Sequence, residues 1–125
     1  MSLGVYLEGP EVEEECRCAG CGHAHTAKTR PTLYGSNITH NLGKMADAAG
    51  IYQVLWRPEE LGIARAAELV PLLELGLGAL RSDPAKFRAL EPSNGWGTYA
   101  GFVPWVEAYL AACREYPGAT VRASR

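Results

Sequence analysis

Residues 36–50 have the sequence SNITHNLGKMADAAG and are predicted to form one complete helix around which the rest of the chain is organised. Ser36 is a typical N-cap residue, and Gly50 is typical of the left-handed position that follows a helix. Helical spacing predicts one buried face, which consists of Ile38, Leu42, Met45 and Ala49. The opposite face is polar and consists of Asn37, His40, Asn41 and Lys44. Because Asn and His are mediocre helix formers, this face indicates hydrogen bonding to a ligand, with an ordinary solvated face as the alternative.

A second group of candidate ligand-binding residues lies in the segment Asn94-Gly95-Trp96-Gly97-Thr98-Tyr99. The glycines on either side of Trp96 let the backbone approach a ligand closely, and the start of the next helix could hold an anion. The alternative is that the glycines shape a turn while Trp96 closes the core. An indole and a neighbouring guanidinium at positions 56 and 57 would suit a base and a phosphate. The candidate ligand-binding residues are therefore Asn37, His40, Asn41, Lys44, Trp56, Arg57, Asn94, Trp96 and Tyr99.

A metal site is predicted near the amino terminus, where the ligand-type residues are Cys16, Cys18, Cys21, His23 and His25. A Cys-x2-Cys knuckle turns both thiolates towards one ion, and alternation along two strands could add a third thiolate and an imidazole. The sequence therefore predicts a structural zinc ion in a hairpin that spans residues 10–31. Whether the fourth ligand is His23, His25 or neither stays open, and free thiols are the alternative.

An enzymatic role would need His40 as a general base, with Thr39, Lys44 or Asp47 nearby. Asp47 lies about two helical turns away and would not orient the imidazole directly. No nucleophile elbow, carboxylate pair or metal-hydrolase motif is present in the sequence. Cys113 falls on the apolar face of its predicted helix, where a thiol behaves as a small core residue. A non-enzymatic role is therefore favoured.

The composition argues against nucleic acid and membrane partners. The chain has 125 residues and a net charge of −2, and its Lys and Arg residues are scattered. It has neither an apolar run long enough to cross a bilayer nor the features of a secretory signal. The clustered cysteines favour a reducing compartment, so the protein is expected in the cytoplasm.

The order of predicted elements indicates an α+β fold in one small domain, residues 1–125. Helices are predicted at 36–50, 64–81, 84–90 and 98–116, and strands at 4–8, 11–17, 23–30 and 119–124. Residues 51–57 are either an extended linker or a short helix, and Pro58 opens a single turn. We expect three to four helices packed on a small antiparallel sheet in which the amino- and carboxyl-terminal strands pair. The cysteine hairpin would be a sub-element, with residues 36–125 forming the helical core and last strand.

Two leucines fall off the main apolar stripe of the helix predicted at 64–81. Leu72 and Leu75 predict a second apolar surface, for a partner helix or for a homo-oligomer. Together with the acidic amino-terminal strand, this surface supports a protein-binding role.

Three segments carry a resemblance to known proteins: SNITHNLGKMA at 36–46, LWRPEE at 55–60 and NGWGTY at 94–99. With these motifs, residues 36–125 resemble a family of small uncharacterised bacterial and bacteriophage proteins. The resemblance implies an intracellular, phage-related origin and supplies no catalytic residue.

The leading hypothesis is a non-enzymatic protein that binds a polar or anionic, nucleotide-like small molecule. Its cleft would lie between the polar face of residues 37–44 and the loop at 94–99, provided that the loop folds over that face. The alternative is a zinc-hairpin adaptor that binds another protein. A third hypothesis is a phosphoester hydrolase centred on His40.

Overall fold

The computed structural model describes residues 2–17 and 24–125, with side chains described for residues 2–12 and 29–125. Its strands are β1 (Ser2–Glu8), β2 (Val12–Arg17), β3 (Ala24–Thr29), β4 (Thr32–Thr39) and β5 (Thr120–Ser124). Its α-helices are α1 (Gly43–Ala48), α2 (Tyr52–Trp56), α3 (Ala66–Ser82), α4 (Pro84–Arg88) and α5 (Tyr99–Glu115), with 3₁₀ turns at His40–Leu42 and Pro58–Leu61. The predicted α+β class is confirmed, with five α-helices in the described residues rather than three to four.

β1 is the central strand of a three-stranded antiparallel sheet with the order β4-β1-β5. Its alternate side chains face the helices and are fully buried: Leu3, Val5 and Leu7. Ser2 pairs with Thr39 of β4 at one end of β1, and Glu8 pairs with Thr120 of β5 at the other end. The predicted pairing of the amino- and carboxyl-terminal strands is therefore confirmed.

β2 and β3 form a separate two-stranded antiparallel hairpin, in register from Val12 opposite Thr29 to Arg17 opposite Ala24. The backbone N–H of Gly9 donates to the carbonyl of Pro31 at 2.8 Å, which ties the base of the hairpin to the main sheet. The two strands predicted on either side of the cysteine knuckle are confirmed as backbone elements. The knuckle itself, residues 18–23, lies outside the described residues.

The helix predicted from Ser36 to Gly50 begins later than expected. Residues 36–39 continue β4, where Ser36 pairs with Val5 of β1, so the strand ladder overrides the local capping signal. Thr39 is the actual cap, because its hydroxyl accepts the N–H of Asn41 at 3.2 Å. The predicted end is confirmed, since Gly50 has φ 77° just after the helix. The predicted apolar stripe is buried throughout: Ile38, Leu42, Met45 and Ala49.

The two long helices, α3 and α5, pack side by side and run in opposite directions. Arg81 pairs with Glu107 near one end of the contact, and Arg114 pairs with Glu74 near the other end at 2.5 Å. α3 continues without interruption through Pro71, although proline lacks the N–H of a helical residue. Their buried side chains fill the core beneath the sheet: Leu69, Leu73, Leu77, Leu80, Phe102, Val106, Tyr109 and Cys113.

The shorter elements close the core at its edges. Residues 51–57, which the sequence left undecided, contain α2, whose last three residues are buried: Val54, Leu55 and Trp56. Asp83 caps α4 by accepting the N–H of Lys86 at 3.2 Å, and Thr98 caps α5 by accepting the N–H of Gly101 at 3.0 Å. The predicted start of the last helix at residue 98 is confirmed, and the cap at Thr98 fixes where the preceding loop joins the core.

Candidate ligand-binding cleft

The junction between β4 and the following 3₁₀ turn orients two of the predicted amide side chains. The Thr39 hydroxyl accepts both the backbone N–H of Asn41, at 3.2 Å, and its side-chain Nδ2, at 3.1 Å. Asn37 lies two positions earlier on β4 and is exposed. Because side chains alternate along a strand, Asn37 and Thr39 point to the same face. The amides of Asn37 and Asn41 therefore lie at the same end of the sheet.

The loop that carries Trp96 is pressed against this junction. Gly97 has φ 108°, and a Cβ atom at this position would lie 2.8 Å from Cγ of Leu42 and 3.0 Å from Cγ2 of Thr39. The side chain of Asn94 accepts the backbone N–H of Trp96 at 2.9 Å and so closes an Asx turn. The Trp96 side chain is 70% exposed, so the alternative that it closes the core is wrong.

A cleft of about 480 Å³ lies between the loop and the sheet. We call it the Trp96 cleft, and it is lined by Ser2, Asn37, Ile38, Thr39, Asn41 and Trp96. Its lining contains amides, hydroxyls and an indole, and none of the described residues that line it has a charged side chain. The arrangement suits a neutral, planar polar group that can stack on the indole and exchange hydrogen bonds with the amides.

A groove of about 340 Å³ shares Asn37, Ile38 and Thr39 with this cleft and reaches the start of α5. Trp105 also lines it, and the Nε1–H of Trp105 is buried without an acceptor among the described residues. A buried donor without an acceptor is destabilising by about 1–3 kcal/mol. Because this N–H is itself inaccessible, Trp105 offers the groove its ring surface rather than a hydrogen-bond donor.

A third depression, of about 480 Å³, contains the charged side chains of the predicted polar face. Its lining includes His40, Asn41 and Lys44 on one side and Glu91 on the other. Because Asn41 lines both this depression and the Trp96 cleft, the two are neighbours. A ligand with a neutral ring and a charged group could occupy both.

His40 is held by a hydrogen bond that decides its tautomer. The indole Nε1–H of Trp56 donates to Nδ1 of His40 at 2.8 Å in a part-buried environment. A nitrogen that accepts a hydrogen bond carries no proton, so the neutral imidazole has its proton on Nε2. Nε2 is then a donor, and a general base would need the other tautomer. This geometry argues against the hydrolase hypothesis.

The remaining predicted ligand-binding residues lie elsewhere. Trp56 is 2% exposed and stacks on Tyr52 with ring centroids 5.2 Å apart, so it belongs to the core. Tyr99 is 8% exposed, and its hydroxyl donates to the carbonyl of Leu80 at 2.8 Å. Arg57 pairs with Glu60 at 3.0 Å, a contact that raises the pKa of the guanidinium. Of the predicted set, the Trp96 cleft brings together Asn37, Asn41 and Trp96.

The prediction of structural zinc is wrong for the described part of the chain. Among the side chains that the structure describes, those of residues 2–12 and 29–125, no group of three or more His, Cys, Asp or Glu could hold a metal ion. Cys16 lies opposite His25 in the hairpin backbone, whereas Cys18, Cys21 and His23 lie outside the described residues. Two positions alone do not complete a tetrahedral site, so zinc is not assigned as a cofactor.

Cys113 is confirmed as a core residue. Its side chain is fully buried, and this burial raises the pKa of the thiol to about 12. A thiol with so high a pKa is protonated at neutral pH and is a poor nucleophile. Cys113 therefore has no part in the candidate site.

The apolar surface predicted on α3 is reduced to a single side chain. Leu75 is 73% exposed, whereas Leu72 packs against the core. One exposed leucine is normal on a protein surface and does not define an interface. The predicted protein or oligomer contact thus gains no specific support.

Comparison of the chain with protein-family models, with curated protein sequences and with solved structures gave no match. The resemblance of residues 36–125 to bacterial and bacteriophage proteins stays a prediction. Among the described residues, no helix has the length and apolar character needed to cross a membrane.

Sequence reasoning missed Ser2 and Trp105, and it named Thr39 only as a neighbour of a catalytic His40. Ser2 reaches the cleft only because it pairs with Thr39 across the sheet. Trp105 fits the apolar face of α5, and no sequence signal shows that its N–H lacks an acceptor. A signal for Thr39 did exist, because Thr is a common N-cap residue.

Proposed function

We propose that this protein binds a small molecule with a planar, nucleobase-like ring in the Trp96 cleft and a charged group beside Lys44. The observation that carries the proposal is the exposure of Trp96, whose side chain is 70% accessible at the edge of an uncharged cleft. Stacking of one base on an aromatic side chain contributes about 1–3 kcal/mol. A loop built to display an indole beside two amides is therefore suited to such a ring.

The two amides supply hydrogen-bonding capacity for the edge of the ring. Asn41 uses one Nδ2–H on the Thr39 hydroxyl, which leaves its Oδ1 and its second N–H for a ligand. Asn37 is exposed at the same end of the sheet and offers both a carbonyl and an NH₂ group. A ring with adjacent donors and acceptors, as in a purine or pyrimidine, complements this pair.

The neighbouring surfaces suit the rest of a nucleotide. Lys44 and His40 lie in the depression that Asn41 shares with the cleft, and they suit a phosphate. Glu91 also lines this depression, but its Oε1 accepts the backbone N–H of Tyr99 at 2.9 Å. On the other side, the groove that reaches the start of α5 offers the hydroxyl of Thr98 and the indole of Trp105 to the rest of the ligand. We infer binding without turnover, since His40 is held in the tautomer that donates from Nε2.

The test is a titration of the full chain with purine and pyrimidine nucleoside monophosphates, followed by tryptophan fluorescence and thermal unfolding. Binding is expected to quench the emission of Trp96 and to raise Tm. Trp96→Ala is expected to weaken binding about 5- to 100-fold, because it removes the stacking contribution. Asn37→Ala combined with Asn41→Ala is expected to weaken it further while the protein stays folded.

Two matched controls separate the cleft from the general surface. Leu75→Ala removes an equally exposed apolar side chain on α3, and Gln53→Ala removes an exposed amide on α2. Both variants should bind like the wild type. The proposal is wrong if no nucleotide gives a saturable change, or if Trp96→Ala binds as tightly as Leu75→Ala.

A further inference from the structure

Two arginines from distant parts of the chain converge on the hydroxyl of Thr120. Nη1 of Arg30 donates to Oγ1 of Thr120 at 3.0 Å, and Nη1 of Arg65 donates to the same oxygen at 3.2 Å. Arg65 also donates to the carbonyl of Gly118 at 3.2 Å. Because both nitrogens lie within hydrogen-bonding distance of one oxygen, two positive charges are held close together.

The backbone around Thr120 fixes this arrangement. Arg65 and Thr120 form an antiparallel bridge, and the N–H of Ala66 donates to the carbonyl of Ala119 at 2.9 Å. Arg30 directly precedes Pro31, whose carbonyl accepts the N–H of Gly9 at 2.8 Å. Both arginines thus project from segments that are tied to the Glu8 end of β1.

Arg30 and Arg65 differ from most arginines of the chain in their partners among the described side chains. Elsewhere, five arginines form ion pairs with glutamates: Arg57, Arg81, Arg114, Arg122 and Arg125. Among the described side chains, Arg30 and Arg65 form none. The carboxylate on the facing strand position is Glu8, which is engaged with Nε of Arg122 at 3.3 Å. The carboxylate of Glu68, in the first turn of α3, accepts the N–H of Ala64 at 3.0 Å instead. Within the described side chains, neither guanidinium is therefore paired with a carboxylate.

The unused donors of these side chains match a particular class of ligand. A guanidinium group carries five N–H donors, and each of these two uses only one nitrogen on acceptors in the described residues. Guanidinium groups recognise phosphate through paired N–H donors, and a threonine hydroxyl can donate to a further oxygen. A tetrahedral oxyanion could thus accept hydrogen bonds from three side chains at once.

We propose that Arg30, Arg65 and Thr120 form a binding site for a tetrahedral oxyanion, such as a phosphate group. Thr120 lies at the Glu8 end of β1 and the Trp96 cleft lies at the Ser2 end, about 20 Å away along the strand. A mononucleotide in the Trp96 cleft does not span that distance. The oxyanion site is therefore separate from the Trp96 cleft, and each proposal can be tested without the other.

The test is calorimetric titration of the full chain with inorganic phosphate, with sulfate and with chloride at matched ionic strength. Phosphate and sulfate are expected to bind saturably, whereas chloride is not. A fourth titration, with glycerol phosphate, distinguishes a site for free phosphate from one that also accepts a phosphomonoester. Tighter binding of the ester would indicate a phosphorylated small molecule as the natural ligand, and binding of the free ion alone would indicate phosphate itself.

Three variants assign the binding to these residues. Arg30→Ala is expected to weaken phosphate binding about tenfold or more, because it removes charge-assisted hydrogen bonds. Arg65→Lys keeps the charge and loses the planar fork, so it should weaken binding less. Arg88→Ala is the control, because Arg88 is an exposed arginine on α4 that forms no ion pair among the described residues and lies over the ring of Tyr99.

The proposal is overturned if phosphate binds no better than chloride, if Arg30→Ala binds phosphate like the wild type, or if Arg88→Ala weakens binding as much as Arg30→Ala. Because Arg30→Ala and Arg65→Lys both leave the backbone bridge at Thr120 intact, a failure to bind would not follow from unfolding. A thermal unfolding curve of each variant verifies this point.

Discussion

The two ends of β1 support opposite kinds of chemistry. At the Ser2 end, the Trp96 cleft is lined by amides, hydroxyls and an indole without a charged side chain. At the Glu8 end, two guanidinium groups, those of Arg30 and Arg65, converge on one threonine hydroxyl. One buried strand thus positions two surfaces whose ligands would be recognised by different forces.

This difference has a direct consequence for how each end should respond to salt. Stacking and amide hydrogen bonds depend little on ionic strength, whereas exposed charges are screened beyond a Debye length of about 8 Å at physiological salt. Ring binding at the cleft should therefore persist in concentrated salt. Oxyanion binding at Thr120 should weaken steadily as ionic strength rises. Substitutions that alter one of the two surfaces at a time test this difference.

The largest expected effect is that of Gly97→Val, which disrupts only the Trp96 cleft. A Cβ atom would approach Cγ of Leu42 to 2.8 Å, and valine at φ 108° is strained. We expect the free energy of unfolding in urea to fall by about 2–5 kcal/mol, from backbone strain and overpacking together. Nucleotide binding should be lost, and phosphate binding at Thr120 should be retained.

Gly95→Ala provides the control for Gly97→Val. Gly95 also has a positive φ, of 76°, but no atom lies within 4 Å of its added Cβ. Only the backbone penalty of about 1–2 kcal/mol should remain. Equal losses in the two variants would show that the contact of the loop with Leu42 and Thr39 is not what holds Trp96 in place.

The parts of the fold that local signals determine could be predicted from the sequence. Thr98 as a cap, Gly50 as a helix terminator and the apolar stripe of α3 all act within a few residues of themselves. The start of the first helix could not be predicted in this way. Ser36 has the side chain of a good cap, but its pairing with Val5 of β1 places it in a strand.

The candidate site shows the same division. Asn37, Asn41 and Trp96 were recognisable by residue type, because amides and an indole beside glycines are unusual on a plain surface. Their meeting depends on the approach of Gly97 to Thr39, which no local pattern specifies. The convergence of arginines on Thr120 is even less accessible to sequence, since it joins positions 90 and 55 residues apart.

A smaller effect is expected for Trp56→Phe, which tests the hydrogen bond that orients His40. The substitution removes the donor to Nδ1 of His40 and leaves that part-buried nitrogen without a partner. In addition to the effect of lost packing, the free energy of unfolding should fall by about 1–2 kcal/mol, measured by urea denaturation. Nitrogen-15 NMR of the imidazole should show mainly the Nε2–H tautomer in the wild type and a mixture in the variant.

Trp105→Phe is the matched control, because it removes an indole N–H that has no acceptor among the described residues. Apart from its own, smaller loss of packing, since Trp105 is only partly buried and Trp56 is 2% exposed, this deletion should be neutral or stabilising. The larger loss of stability is therefore expected for Trp56→Phe, from the hydrogen bond to His40 and the deeper burial together. If Trp105→Phe were the more destabilising of the two, the hydrogen bond between Trp56 and His40 would contribute nothing measurable.

The smallest expected effect is that of Glu8→Gln, which removes a negative charge at the Thr120 end of β1. Glu8 is the carboxylate on the strand position that faces Thr120, and it forms an ion pair with Arg122 at 3.3 Å. Losing an ion pair of this partly exposed kind should change stability by only about 0.2–1 kcal/mol. Removing its negative charge should tighten phosphate binding about two- to fivefold at low salt.

The increase in phosphate affinity of Glu8→Gln should disappear as salt is added, because the repulsion between Glu8 and the bound anion is screened. Glu115→Gln, at the exposed end of α5, changes the net charge equally and should leave phosphate affinity unchanged. If both glutamine variants tightened binding alike, phosphate would be sensing the net charge of the protein rather than the arrangement around Thr120. A gain confined to Glu8→Gln would place the anion at that end of β1, beyond the reach of the uncharged cleft.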